Sequence, residues 1–208
     1  MSLKINNKEE FPNVISHAVG IVLGVFGLLF LLLKNRNIND FSTLSILIYG
    51  FCLIALYTAS TVFHAISHEK KKQKAQIFDH IGIFLLIAGT YTPICLITLE
   101  QTTGWTLFLV IWGIAALGLV MKLFLTGKLD KLSLIIYLIM GWLAVVEYKQ
   151  LMQLMSAETL FYLVLGGILY TLGTIFYASK RIPYNHFIWH LFVLGGSISH
   201  YFMIYSIV

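Results

Sequence analysis

Seven apolar runs, each of bilayer-spanning length, follow one another with only short polar breaks, at about 13–33, 41–66, 77–99, 104–125, 129–147, 157–179 and 185–207. A hydrocarbon core about 30 Å thick takes roughly 20 residues of helix to cross. Lipid offers no partner for backbone N–H and C=O groups, so each run must satisfy its own. Because the runs are continuous rather than alternating, they are helices and not barrel strands. The composition agrees. With 59% of residues hydrophobic, 11% charged and a mean hydropathy of +0.86, the chain lacks the polar groups needed to wet a soluble surface. The expected fold is all-α: one integral-membrane domain over residues 1–208, a bundle of seven transmembrane helices and a multi-pass protein of the plasma membrane. No linker, low-complexity tract or paired Gly/Pro-interrupted helices point to a solenoid or an inverted-repeat transporter.

The opening MSLKINNKEEFPN reads as a cytosolic tail with a helix start, since it lacks the basic leader and small-residue cleavage site of a secretory signal. Orientation follows from Lys and Arg in the short loops. With the N-terminus inside, the cytosolic segments hold Lys4, Lys8, Lys70, Lys71, Lys72, Lys74, Lys122, Lys128, Lys131, Lys180 and Arg181, eleven of the fourteen basic residues. Only Lys34, Arg36 and Lys149 fall outside, so the N-terminus is expected in the cytosol and the C-terminus outside. The run EKKKQK at 69–74 is read as a loop and a topology signal that touches anionic headgroups, not as a nucleic-acid site. Cys52 and Cys95 each fall within a span and read as small core residues, implying no disulfide framework.

Ionisable residues inside spans are costly and therefore informative. They are His17 near the start of helix 1, His64 near the end of helix 2, Asp79 and His80 at the start of helix 3, and His186, His190 and His200 in helix 7. Alternating helix directions place His64, Asp79, His186 and His190 in one layer near the inner face. His200 lies roughly 15 Å beyond His190 along the helix and cannot join them. His186 and His190, four apart, share a helix face, and His64 offers a third imidazole at the same depth. Three protein nitrogens with one position left to water is the pattern of a catalytic zinc site. Unlike HExxH, this HxxxH carries no internal Glu, so a base must come from another helix; Asp79 is the acid at the right depth. Ser60, four residues before His64, shares its face and can reach a water or a substrate carbonyl.

Other readings of the same residues stand beside this one. Intramembrane histidines also serve as interhelical hydrogen-bonding groups, and haem ligation or a proton relay uses the same side chain, although His186 and His190 share a face and so do not oppose each other across a macrocycle. His200 is expected in a buried hydrogen bond, His17 in an interhelical bond beneath the layer, His80 at the interface and His68 in solvent. Helix 7 carries no lysine for a retinal Schiff base.

The blocks EEFPNVISHAVG (9–20), STVFH (60–64), FDHIGIFLLIAGTYTP (78–93), GGILYTLGTIFY (166–177) and NHFIWHLFVLGGSISHYF (185–202) resemble the hemolysin III family, the bacterial branch of the progestin and adipoQ receptor (PAQR) superfamily. The resemblance covers nearly the full chain. It implies seven helices with a cytosolic N-terminus and a zinc ion near the inner leaflet. By motif, the ligands fall on His64, His186 and His190, and the Asp and Ser that accompany the water fall on Asp79 and Ser60. Because the superfamily includes ceramidases, the resemblance implies a zinc-dependent hydrolase of a membrane lipid amide or ester. The alternative it implies is non-enzymatic: a pore-forming, cytolytic hemolysin, or a receptor-like protein of membrane homeostasis in which zinc is structural. A water-filled pore needs polar residues through the full bilayer thickness, and the outer halves of these helices are almost wholly apolar.

Overall fold

The computed structural model describes residues 7–179 and 181–208, with side chains from Glu9 onward. Lys4 and Lys180, and the side chain of Lys8, lie outside the described residues. Among those residues there is no strand. Helix α1 covers Asn7–Lys34, α2 Ser42–Ala65, α3 Glu69–Pro93, α4 Gly104–Leu125, α5 Asp130–Trp142, α6 Tyr148–Leu154, α7 Ala157–Ala178 and α8 Asn185–Ile207. A 3₁₀ turn at Leu143–Glu147 joins α5 to α6, so these two form a single span, and the described residues contain seven helices long and apolar enough to cross a membrane.

The third span is the hub. In its most apolar stretch 72% of residues are buried, against 17% for the fifth and sixth spans, whose sides face lipid. It packs on α2 and α4, while α1 lies against α2 and α8, and α7 pairs with α8. Gly82 and Gly89, seven apart on one face of α3, allow α2 to approach closely. A Cβ on Gly89 would stand 2.6 Å from the Cys52 Cβ, and one on Gly82 would stand 3.1 Å from the Leu56 Cα. Small residues substitute for the hydrophobic drive that lipid removes, since they let dispersion contacts form backbone to backbone. That closeness leaves Ser60 of α2 and Asp79 of α3 on the wall of one cavity. Cys52 and Cys95 are free thiols, both buried.

Three elements differ from the expectation. Helix α1 begins no later than Asn7 although Pro12 lies within it, because Glu10 is pinned by two partners on α2 and α3 described below. Helix α3 begins at Glu69, so EKKKQK is not a loop but the first turns of a helix that outruns its apolar part. Lys72 points inward, donating from Nζ to the Phe63 carbonyl at 3.1 Å and pairing with Glu10, and so cannot reach headgroups; Lys70, Lys71 and Lys74 stay exposed. The fifth span runs on to Leu154 and breaks midway. Tyr91 serves both sides of that break, its hydroxyl donating to the Gly141 carbonyl at 2.9 Å and accepting from the Ala144 N–H at 2.8 Å. Backbone groups freed by a break inside a span need such a partner.

Candidate metal centre

The end of α2 and the starts of α1 and α8 meet in one layer. His64, His186 and His190 each present a ring atom within 4.8 Å of those of the other two, a group that can hold a metal ion. His64 and His190 are buried and His186 is half-buried. The Nε2 atoms of His64 and His186 lie 3.2 Å apart, although the residues are 122 positions apart in the chain.

The hydrogen bonds around the rings decide which nitrogens are free. His64 Nδ1 stands 2.6 Å from Glu10 Oε2, and the other carboxylate oxygen of Glu10 lies 2.9 Å from Lys72 Nζ. A carboxylate held by an ammonium accepts, so Nδ1 carries the proton and Nε2 keeps its lone pair. Ser16 gives its hydroxyl proton to the Asn13 carbonyl at 2.9 Å, leaving its oxygen to accept from His190 Nδ1 at 3.1 Å. His190 is thereby fixed in the same tautomer. Two bare Nε2 atoms thus belong to a cluster whose third ring is already within 3.2 Å of one of them. Lone pairs brought this close need a proton or a cation between them. For comparison, adjacent ligands of a tetrahedral ion with bonds of about 2.0–2.1 Å are separated by roughly 3.3 Å.

His17 stacks on His190, ring centroids 3.6 Å apart and planes 18° from parallel, and meets Tyr57 edge-on. Both its ring nitrogens are buried without a hydrogen-bond partner among the described residues, so it makes no interhelical bond of the kind the sequence suggests. A cavity of about 110 Å³ opens from this layer into the bundle between α3, α5, α7 and α8. Ser60, Asp79, His17, His186 and His190 line one end of it, with Ser60 and Asp79 almost wholly buried. Leu86, Ile87, Leu138 and Val193 line its middle, and Trp142, Thr171 and His200 the far end.

The sequence matches the family described as Haemolysin-III related over residues 5–201. It is 43% identical to the Hemolysin-3 homolog of Bacillus subtilis (strain 168) over 198 residues, covering 95% of this chain and 93% of the relative. The chain belongs to the haemolysin III family. Hemolysin-3 of Bacillus cereus is 41% identical, with 95% and 90% of the two chains covered. The human Monocyte to macrophage differentiation factor is 30% identical over 208 residues, covering 95% and 84%, which extends the kinship to the PAQR superfamily. With seven spans and bacterial relatives of this kind, the haemolysin III family member is a multi-pass membrane protein, consistent with a bacterial plasma membrane.

Within this haemolysin III fold the three histidines singled out from spacing and depth come together, and Asp79 and Ser60 border the same cavity as His186 and His190. His200 stays outside the cluster and bonds through Nε2 to the Leu163 carbonyl at 3.2 Å, as expected for a buried hydrogen bond. His80 is not interfacial: it is buried, it borders the cavity, and its Nδ1 lies 3.6 Å from Asp130. The reason is Lys122, which is buried and donates to Asp130 at 2.9 Å, folding the α4–α5 connection over the start of α3. Glu10, Ser16 and Lys72 were absent from the sequence reading of the site. A signal existed for the first of them: Glu10, Asn13 and His17 fall at i, i+3 and i+7, a polar stripe on one helix face.

Proposed function

We propose that this protein is a zinc-dependent hydrolase of a membrane lipid amide or ester, with His64, His186 and His190 as the ligands. The observation that carries the reading is the pair of enforced tautomers: Glu10 and Ser16 occupy the Nδ1 atoms of His64 and His190, so their Nε2 lone pairs are available to one ion. Neutral imidazoles suit zinc and other borderline metals rather than magnesium or calcium, which take oxygen. Zinc, when bound, supplies a Lewis acid that polarises a carbonyl and makes water nucleophilic near neutral pH. Asp79, from the cavity wall, takes the proton of the attacking water and returns it to the leaving amine or alcohol. Ser60 donates its hydroxyl to the carbonyl oxygen as charge develops there. The apolar middle of the cavity, lined by Leu86, Ile87, Leu138 and Val193, takes the start of an acyl chain. In this reading the N-terminus is cytosolic, which sets the histidine layer near the inner leaflet.

Two measurements test it. Metal analysis of purified protein should find zinc in the wild type and a large loss in His190→Ala. Incubation with membrane lipid extracts should give a product that requires both zinc and Asp79, while Asp79→Asn retains the metal and loses turnover. If wild-type protein loaded with zinc yields no such product, the hydrolase reading fails even where the metal is bound.

A further inference from the structure

A second concavity lies on the lipid-facing side of the bundle, away from the histidine layer. It runs along α2, with Ala55, Thr58 and Ala59 as its floor and Ala75 of α3 beside them, and has a volume of about 600 Å³. Phe51, 70% exposed, stands at the end farther from the α2–α3 connection, and Phe78, 62% exposed, stands on the α3 side. A trough this wide between two protruding rings leaves room for a hydrocarbon chain.

What lies just beyond its other end is charged. Lys71 precedes Ala75 by four residues and Phe78 by seven, and Lys74 precedes Phe78 by four, so both lysines continue the groove-facing side of α3 past its apolar part. Both are exposed, whereas their neighbour Lys72 is turned inward to Glu10. One continuous face therefore presents two free ammonium groups and then an apolar trough at membrane depth. We infer that this groove holds one anionic phospholipid, with an acyl chain along Thr58 towards Phe51 and its phosphate against Lys71 and Lys74. A second copy of this chain is a poor occupant, because packing on the same face would bring its own lysine-rich helix start against this one. A zwitterionic lipid fits the trough equally well but gains little from the lysines.

The site is independent of the hydrolase reading and is tested without activity. Purified protein is equilibrated in mixed phosphatidylcholine and phosphatidylglycerol, and the lipids retained after release into mild detergent are counted by native mass spectrometry. One phosphatidylglycerol per chain is expected to persist in preference to phosphatidylcholine. A lysine at a headgroup contributes about fivefold to binding, so Lys71→Gln with Lys74→Gln should reduce retention about 25-fold. Thr58→Phe, which fills the trough from an exposed position and leaves the charges in place, should also reduce it several-fold. The exposed pair Lys128→Gln, in the α4–α5 connection, with Lys131→Gln, in the first turn of α5, should leave it unchanged. Equal retention of phosphatidylcholine would overturn the proposal in favour of an apolar trough that does not read charge, and an equal loss in the Lys128/Lys131 variant or full retention in Thr58→Phe would overturn it in favour of a diffuse basic surface.

Discussion

Glu10 does two things at once: it orients the His64 ring and neutralises a lysine that would otherwise be buried alone. Removing it leaves Lys72 without its carboxylate and His64 free to turn. Partners of this kind behind metal-binding imidazoles are worth about 10–100-fold in affinity. Glu10→Ala is therefore expected to weaken zinc binding by about that factor in a competitive chelator titration, while Glu9→Ala, at a half-buried neighbour outside the network, leaves it within about twofold. An unchanged affinity in Glu10→Ala would mean that the carboxylate serves only Lys72. The convergence of the three histidines and the place of Asp79 beside the same cavity were legible in the sequence because ionisable groups are rare in apolar spans and their depth can be counted; the place of Ser60 followed from its spacing of four from His64. Glu10 is not legible there, since in the sequence it belongs to a polar tail; its contacts depend on helix α1 continuing through Pro12, which no local propensity favours. Ser16 was missed for a different reason: a serine inside a span is common, and only the Asn13 carbonyl in front of it makes it an acceptor.

At the scale of elements, hydropathy located the seven spans because lipid imposes length and composition on each of them. It could not locate the start of α3, where the amphiphilic EKKKQK turns are held by Lys72 reaching back to the Phe63 carbonyl, nor the break in the fifth span, which rests on a residue fifty positions away. Tyr91→Phe removes that residue's hydroxyl and leaves the Ala144 N–H and the Gly141 carbonyl without it. Stranded buried groups cost about 1–3 kcal/mol, so a lower unfolding temperature in detergent is expected, with Trp142 fluorescence altered as its surroundings shift. The close approach of α2 and α3 makes a second prediction. Gly89→Leu drives a side chain into Cys52 and should lower both thermal stability and metal occupancy, whereas Gly113→Leu, on α4 with open space around it, should leave both unchanged. Loss of stability without loss of metal would show that the histidine layer does not depend on this helix pair.

For the whole molecule, the direction of insertion decides which compartment the histidine layer faces. Cys52 and Cys95 are buried, so the native chain gives little background to a membrane-impermeant maleimide. A cysteine at Gln101 should be labelled in intact cells and one at Lys128 only after the membrane is opened; the reverse pattern would place the layer on the outer side. Lysis is a separate whole-molecule property. Dye release from liposomes by the wild type, but not by a variant lacking all three histidines, would tie it to the metal site, and equal leakage from both would divorce it. The expected orientation rests on charge bias, and the ion pair of the buried Lys122 with Asp130 shows that one of the lysines counted for topology also serves packing.

The long separation between His64 and His186 has a consequence for biogenesis. A nascent chain displays one imidazole of the cluster after its second span and waits for the last span before the other two arrive. Until α8 has partitioned into the bilayer, the ion proposed for this cluster meets only one of its three ligands, so its capture would report that insertion is complete. Chains arrested before residue 185 should emerge from the translocon apo, however much zinc surrounds them.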